Sequence, residues 1–104
     1  MAFGTSSHIY SGSTSAVAMG HNATSNGVNT ASYGTDSFAE GVNTQAFGSS
    51  SNAIGINSTA FGANSFANGT NSSSSGANAR AIGFNAVAQG TDAVAEGRNV
   101  IAIG

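Results

Sequence analysis

Few side chains in this chain could move a proton or grip a charge near neutral pH: His8, His21, Asp36, Glu40, Asp92, Glu96, Arg80 and Arg98. Nucleophilic catalysis would need one of the histidines beside a hydroxyl or thiol, with a carboxylate to orient it. There is no cysteine, and the serines recur at fixed intervals that mark them as structural. His8 lies in the one irregular stretch, Thr5–Thr14. No catalytic residue is assigned, and the chain reads as no enzyme. Metal binding fares no better. Calcium-binding β-rolls use Asp-rich nonapeptides, whereas only Asp36 and Asp92 occur among many asparagines. A thiolate zinc site is excluded outright, so neither metal nor cofactor is expected. Two arginines against four carboxylates give a formal net charge of −2. That cannot build the basic stripe that nucleic acid or an anionic membrane surface requires.

The elements that carry these residues are set by glycine. From Gly20 to Gly104 a glycine falls on every seventh residue, and only Gly4 and Gly12 stand outside that series. Such regularity marks one small unit repeated along an axis. Two residues before each glycine stands Ala or Ser, from Ala18 and Ser25 to Ala95 and Ala102. Four before it the residue is again small, except at Val100. Bulky or variable residues come three and one before. In an extended chain alternate side chains share a face, so the small columns line one face and the variable columns the other. Two residues after glycine stands Asn or Asp, with Ser50 the exception. Gly and Asn tolerate positive φ best, so the unit reads as a strand of about five residues and a Gly-x-Asn corner. A helix with a glycine every two turns would lose ~1 kcal/mol at each.

The coil length follows from the larger residues. Met19, Tyr33, Phe47 and Phe61 are spaced by fourteen, as are Val28, Val42 and Ile56. Phe61, Ile82 and Ile103 are spaced by twenty-one and would suit three heptads per coil, but they cover less of the chain. The expected architecture is therefore an all-β parallel β-solenoid of about 14 residues per coil, with two short strands in each. Glu40 and Glu96 then lie on one column four coils, or ~19 Å, apart. That is too far for a paired-carboxylate glycosidase. With Leu, Trp, Pro, Cys and Lys all absent, the interior must be thin and filled by small residues. The bulky Phe38, Phe47, Ile54, Phe61, Phe66 and Val87 then fall outside the coil and form an apolar stripe that other chains should cover. Gln45, Arg80, Gln89 and Arg98 would remain to face a ligand, and no binding residue among them is singled out. The sequons at Asn22, Asn57 and Asn71 arise easily in an Asn/Ser-rich repeat. A flat threonine rank for ice binding is also expected to fail, because Val42, Ala63 and Ala77 interrupt the column of Thr35, Thr70 and Thr91.

The segments Ser15-Ala-Val-Ala-Met-Gly20, Arg80-Ala-Ile-Gly-Phe-Asn85 and Asn99-Val-Ile-Ala-Ile-Gly104 resemble the repeats of YadA-like trimeric autotransporter adhesin heads. The resemblance covers residues 15–104, read as a β-roll head after an irregular leader at 1–14 in which Ala2-Phe3-Gly4 could end one more repeat. It implies that the roll is left-handed and that three chains join in a homotrimer. It also implies a place outside the bacterium, at a cell surface, on a parent protein anchored in the outer membrane. The function so implied is non-enzymatic attachment to extracellular matrix or host cell surfaces. Similar repeats occur in phage tail fibres, so a structural fibre segment on a virion is the alternative. No neck, coiled-coil stalk, β-barrel anchor or membrane-contacting segment is read in the sequence. A chain that stops on a complete repeat suggests a piece of a longer head or a module that stacks end to end.

Overall fold

The computed structural model describes residues 2–4, 7–9 and 15–103. The chain winds as a solenoid in which, among the described residues, fifteen short strands alternate between two parallel sheets. The eight-stranded sheet runs in the order Ala2–Phe3 (β1), Val17–Met19 (β3), Ala31–Tyr33 (β5), Gln45–Phe47 (β7), Thr59–Phe61 (β9), Ser73–Ser75 (β11), Val87–Gln89 (β13) and Ile101–Ile103 (β15). The seven-stranded sheet comprises His8–Ile9 (β2), Thr24–Val28 (β4), Phe38–Val42 (β6), Asn52–Ile56 (β8), Phe66–Asn68 (β10), Arg80–Ile82 (β12) and Val94–Glu96 (β14).

Register decides the coil length. Ala39 pairs with Ala53 and Tyr33 with Phe47, each fourteen residues on. Two heptads therefore make one coil. The twenty-one-residue spacing is not a coil: Phe61 and Ile103 lie in the eight-stranded sheet and Ile82 in the seven-stranded one. Before Ser15 the offset lengthens to sixteen, Ala2 pairing with Ala18 and His8 with Thr24. Two additional residues thus fall between Ile9 and Val17. Of the stretch 1–14, residues 1, 5, 6 and 10–14 lie outside the described residues.

The interior is as thin as its side chains. Both small columns are buried, including Ala39, Ala53, Ala67 and Ala81 from one sheet and Ala46, Ala60 and Ala88 from the other. Among the described residues no buried side chain is larger than the threonines Thr30 and Thr44. The Cα envelope measures 34 × 22 × 12 Å, a flat slab rather than a round rod. Ser37, Ser51 and Ser65 satisfy their buried hydroxyls by donating to the carbonyls of Gly34, Gly48 and Gly62 at 3.0–3.1 Å. Among the described residues Thr30, Thr44, Ser58 and Ser74 have no partner for theirs.

Corners bond along the axis as strands do, which answers the demand that buried backbone groups be paired. Gly48 N–H donates to the Tyr33 carbonyl at 2.8 Å and Ser50 N–H to that of Thr35 at 2.7 Å. On the opposite edge Asn57 N–H donates to the Val42 carbonyl at 2.8 Å. Gly34 shows why the glycine column is obligatory. Its φ of +118° is closed to other residues, and a Cβ there would stand 2.6 Å from the carbonyl oxygen of Gly48. The strands are shorter than the expected five residues at most positions, three being usual. Only β4, β6 and β8 reach five, because their pairing continues through Gly27, Gly41 and Gly55.

Candidate interaction surfaces

Alternation within each strand puts the residues flanking the buried column on the outside, so every coil presents two flat faces and two edges. The outer face of the eight-stranded sheet has two columns, Val17-Ala31-Gln45-Thr59-Ser73-Val87-Ile101 and Met19-Tyr33-Phe47-Phe61-Ser75-Gln89-Ile103. Neither contains an Asp, Glu, His, Lys or Arg. In the second column Tyr33 stacks on Phe47 with ring centroids 4.5 Å apart and planes at 15°. Phe47 stacks on Phe61 at 4.8 Å and 16°. The parallel sheet imposes this, since in-register strands repeat at about 4.8 Å, close to the spacing of stacked rings.

The outer face of the seven-stranded sheet is of another character. Thr24-Phe38-Asn52-Phe66-Arg80-Val94 run beside Asn26-Glu40-Ile54-Asn68-Ile82-Glu96. Large apolar residues change column at each coil from Phe38 through Ile54, Phe66 and Ile82 to Val94, with polar residues in the alternate places. The guanidinium of Arg80 lies 5.9 Å from the centroid of the Phe66 ring. Asn26 Nδ2 donates to Glu40 Oε2 at 3.3 Å. The single apolar stripe expected from the sequence is therefore two. Phe47, Phe61 and Val87 lie on one face and Phe38, Ile54 and Phe66 on the opposite one. The parity of the heptad, which the pooled columns ignored, decides the sheet.

The two edges differ as sharply. Where the chain leaves the eight-stranded sheet, the corner residues after glycine are His21, Thr35, Ser49, Ala63, Ala77 and Thr91, followed by Asn22, Asp36, Ser50, Asn64, Asn78 and Asp92. Where it returns, they are Val28, Val42, Ile56, Thr70, Phe84 and Arg98, followed by asparagine each time. These asparagines, Asn29, Asn43, Asn57, Asn71, Asn85 and Asn99, all hold φ between 56° and 59°. Asn29 Nδ2 donates to Asn43 Oδ1 at 3.1 Å, Asn43 to Asn57 at 3.2 Å and Asn57 to Asn71 at 3.2 Å. Asn85 donates to Asn99 at 3.0 Å. The asparagine side chains thus bond one another along the axis on this edge.

The residues considered for chemistry are dispersed. His8 sits in β2 and His21 on the polar edge, and both are exposed. Glu40 and Glu96 occupy one column, with Ile54, Asn68 and Ile82 at the intervening coils. Among the described residues no three of His, Cys, Asp or Glu stand together as a metal group. Gln45 and Gln89 are exposed on the eight-stranded face, Arg80 on the other, and Arg98 on the asparagine edge, 5.2 Å from the Phe84 ring centroid. Of the sequon asparagines, Asn57 and Asn71 are rungs of the ladder and Asn22 lies on the polar edge. Thr35 and Thr91 share that polar edge, while Thr70 belongs to the other.

A family model described as YadA head domain repeat (2 copies) matches residues 12–39, 39–65, 53–79 and 81–104. No curated protein matches the chain.

Proposed function

Because the chain belongs to the YadA head domain repeat family, a family of adhesin heads, we propose that it serves as the head segment of a homotrimeric adhesin displayed on a bacterial cell surface. Its task is attachment to extracellular matrix or host cells, with no catalysis. The observation that carries this reading is the uncharged outer face of the eight-stranded sheet, where Tyr33, Phe47 and Phe61 stack with Phe61 still 41% exposed. A contiguous apolar patch of this kind on a secreted or surface domain marks an interaction site. Association of three copies covers such a face and leaves the mixed, charge-bearing faces outward.

Three identical outer surfaces on a stiff rod then make weak contacts effective together, since linked sites raise avidity without new contacts. The test is a solid-phase assay of the purified chain on collagen, fibronectin and intact host cells. Saturable binding that collapses when the oligomer is dissociated supports the reading. A well-folded trimer that binds none of these surfaces overturns attachment and leaves a passive fibre segment.

A further inference from the structure

We infer that the rod is jointed rather than uniform: the coil at residues 69–83 joins two stiffer stacks, and there the asparagine edge opens more readily than in the coils on either side. The inference goes beyond the adhesin reading and does not depend on which surfaces other chains cover.

In a solenoid each coil is held by its neighbours, so the weakest interface sets where the stack yields. The backbone is not what weakens here. Asn57 N–H donates to the Val42 carbonyl at 2.8 Å, Asn85 N–H to that of Thr70 at 2.9 Å and Asn99 N–H to that of Phe84 at 2.8 Å. The difference lies in the side chains. Every rung of the asparagine ladder is made from Asn29 to Asn71, and Asn85 donates to Asn99 at 3.0 Å. Among the described residues the rung from Asn71 to Asn85 is the one missing.

Three other axial series are interrupted at the same level. The ring stack of Tyr33, Phe47 and Phe61 ends because Ser75 is the next residue of its column. Strands β4, β6 and β8 pair onward through their glycines, whereas β10 stops at Asn68, before Gly69. Inside, the alanines divide into two clusters, one from Ala39 to Ala67 and one from Ala79 to Ala95. Ser74 takes the alanine place between Ala60 and Ala88, with its hydroxyl buried and unpaired. Serine alone does not weaken the interior, since Ser25 and Ser32 bond each other at 3.1 Å. An unpaired buried hydroxyl does, because it has given up water for nothing.

The opposite face stays continuous across this level. Ala67 pairs with Ala81, and the Arg80 guanidinium lies 5.9 Å from the Phe66 ring centroid. The joint is therefore one-sided. The seven-stranded sheet is its hinge leaf, and the asparagine edge with the adjoining eight-stranded sheet is the side that parts.

Hydrogen exchange of the intact chain, read residue by residue by NMR, tests this. Asn57, Asn85 and Asn99 are matched reporters, since each occupies the same corner and makes the same axial bond. Opening at the joint should leave the Asn85 amide about tenfold less protected than those of both Asn57 and Asn99. Fraying from the last coil predicts the other order, because Asn99 lies nearer to it. Ser74→Ala with Ser75→Phe carries the alanine column and the ring stack across the joint. In that variant Asn85 protection should rise toward that of Asn57, with Asn43 unchanged. Ser74→Ala alone, confined to the interior, should give part of the rise and decides the matter where the double variant does not fold. Protection at Asn85 equal to or above that at Asn99 overturns the inference. So does a folded repaired variant, by circular dichroism, in which Asn85 protection does not move.

Discussion

Asn43 Nδ2 donates to Asn57 Oδ1 at 3.2 Å, one full coil along the axis, while Asn43 Oδ1 accepts from Asn29 at 3.1 Å. Each amide thus uses its donor and its acceptor in opposite axial directions, and the same residue holds its backbone in the left-handed region at φ 58°. One side chain serves the corner and the stacking of coils at once. On the polar edge Asn64 has the same backbone, φ 60°, but no ladder bond to its neighbours Ser50 and Asn78 among the described residues.

That contrast gives a first prediction. Asn43→Ala loses two exposed hydrogen bonds and the residue's tolerance of positive φ, whereas Asn64→Ala loses only the latter. At about 0.5–1.5 kcal/mol net for each bond, Asn43→Ala is expected to be the more destabilising by roughly 1–2 kcal/mol in urea unfolding. Equal losses would show that the ladder contributes nothing.

The buried hydroxyl of Thr44 lacks a partner, unlike that of Ser51, which donates to the Gly48 carbonyl at 3.1 Å. Thr44→Val keeps the shape and removes an unpaired polar group. A gain on the order of 1 kcal/mol is expected. Thermal unfolding is the measurement, and a lowered midpoint would mean that this hydroxyl is bonded in solution.

The corner backbone can be tested in both directions. Gly34→Ala forces a Cβ to within 2.6 Å of the Gly48 carbonyl oxygen at φ +118°. Backbone strain and overpacking together should cost about 3 kcal/mol or more. Ser50 occupies a left-handed position at φ 61° where most of the equivalent residues are Asn. Ser50→Asn is expected to raise stability by a few tenths to about 1 kcal/mol, since Asn adopts that conformation more readily. Denaturant midpoints of the two variants should therefore move apart from that of the parent.

Ala60 is fully buried, pairing in register with Ala46 and Ser74 on adjacent coils. Ala60→Leu has no space to enter and should cost roughly 1–3 kcal/mol or more, with the sheets pushed apart. Because solenoid coils contact mainly their neighbours, hydrogen exchange should quicken most from residue 46 to residue 74. Uniform quickening along the whole chain would count against a locally packed interior.

Much of this was legible in the sequence. The Gly34, Gly41 and Gly48 series gave the corners, and Ala39, Ala46 and Ala53 gave the interior, because small side chains and positive φ are requirements no substitute meets. Fourteen-residue spacing of Tyr33, Phe47 and Phe61 gave the coil. What stayed hidden is what depends on heptad parity. Phe47 and Phe38 both read as bulky residues outside the coil, yet they stand on opposite sheets. Asn29 and Asp36 both read as corner residues, yet only the first belongs to a bonded ladder. Each coil turns through two corners that a seven-residue alignment superimposes, so their chemistry averages away. The surface with chemical meaning here, an uncharged aromatic face beside an apolar edge, emerges only when odd and even heptads are read apart.

Sister chains are proposed to cover the uncharged outer face of the eight-stranded sheet. Light scattering of the unmodified protein at micromolar concentration tests it most directly. A single species with the mass of three chains is expected; a species with the mass of one chain, folded and stable, would contradict the proposal.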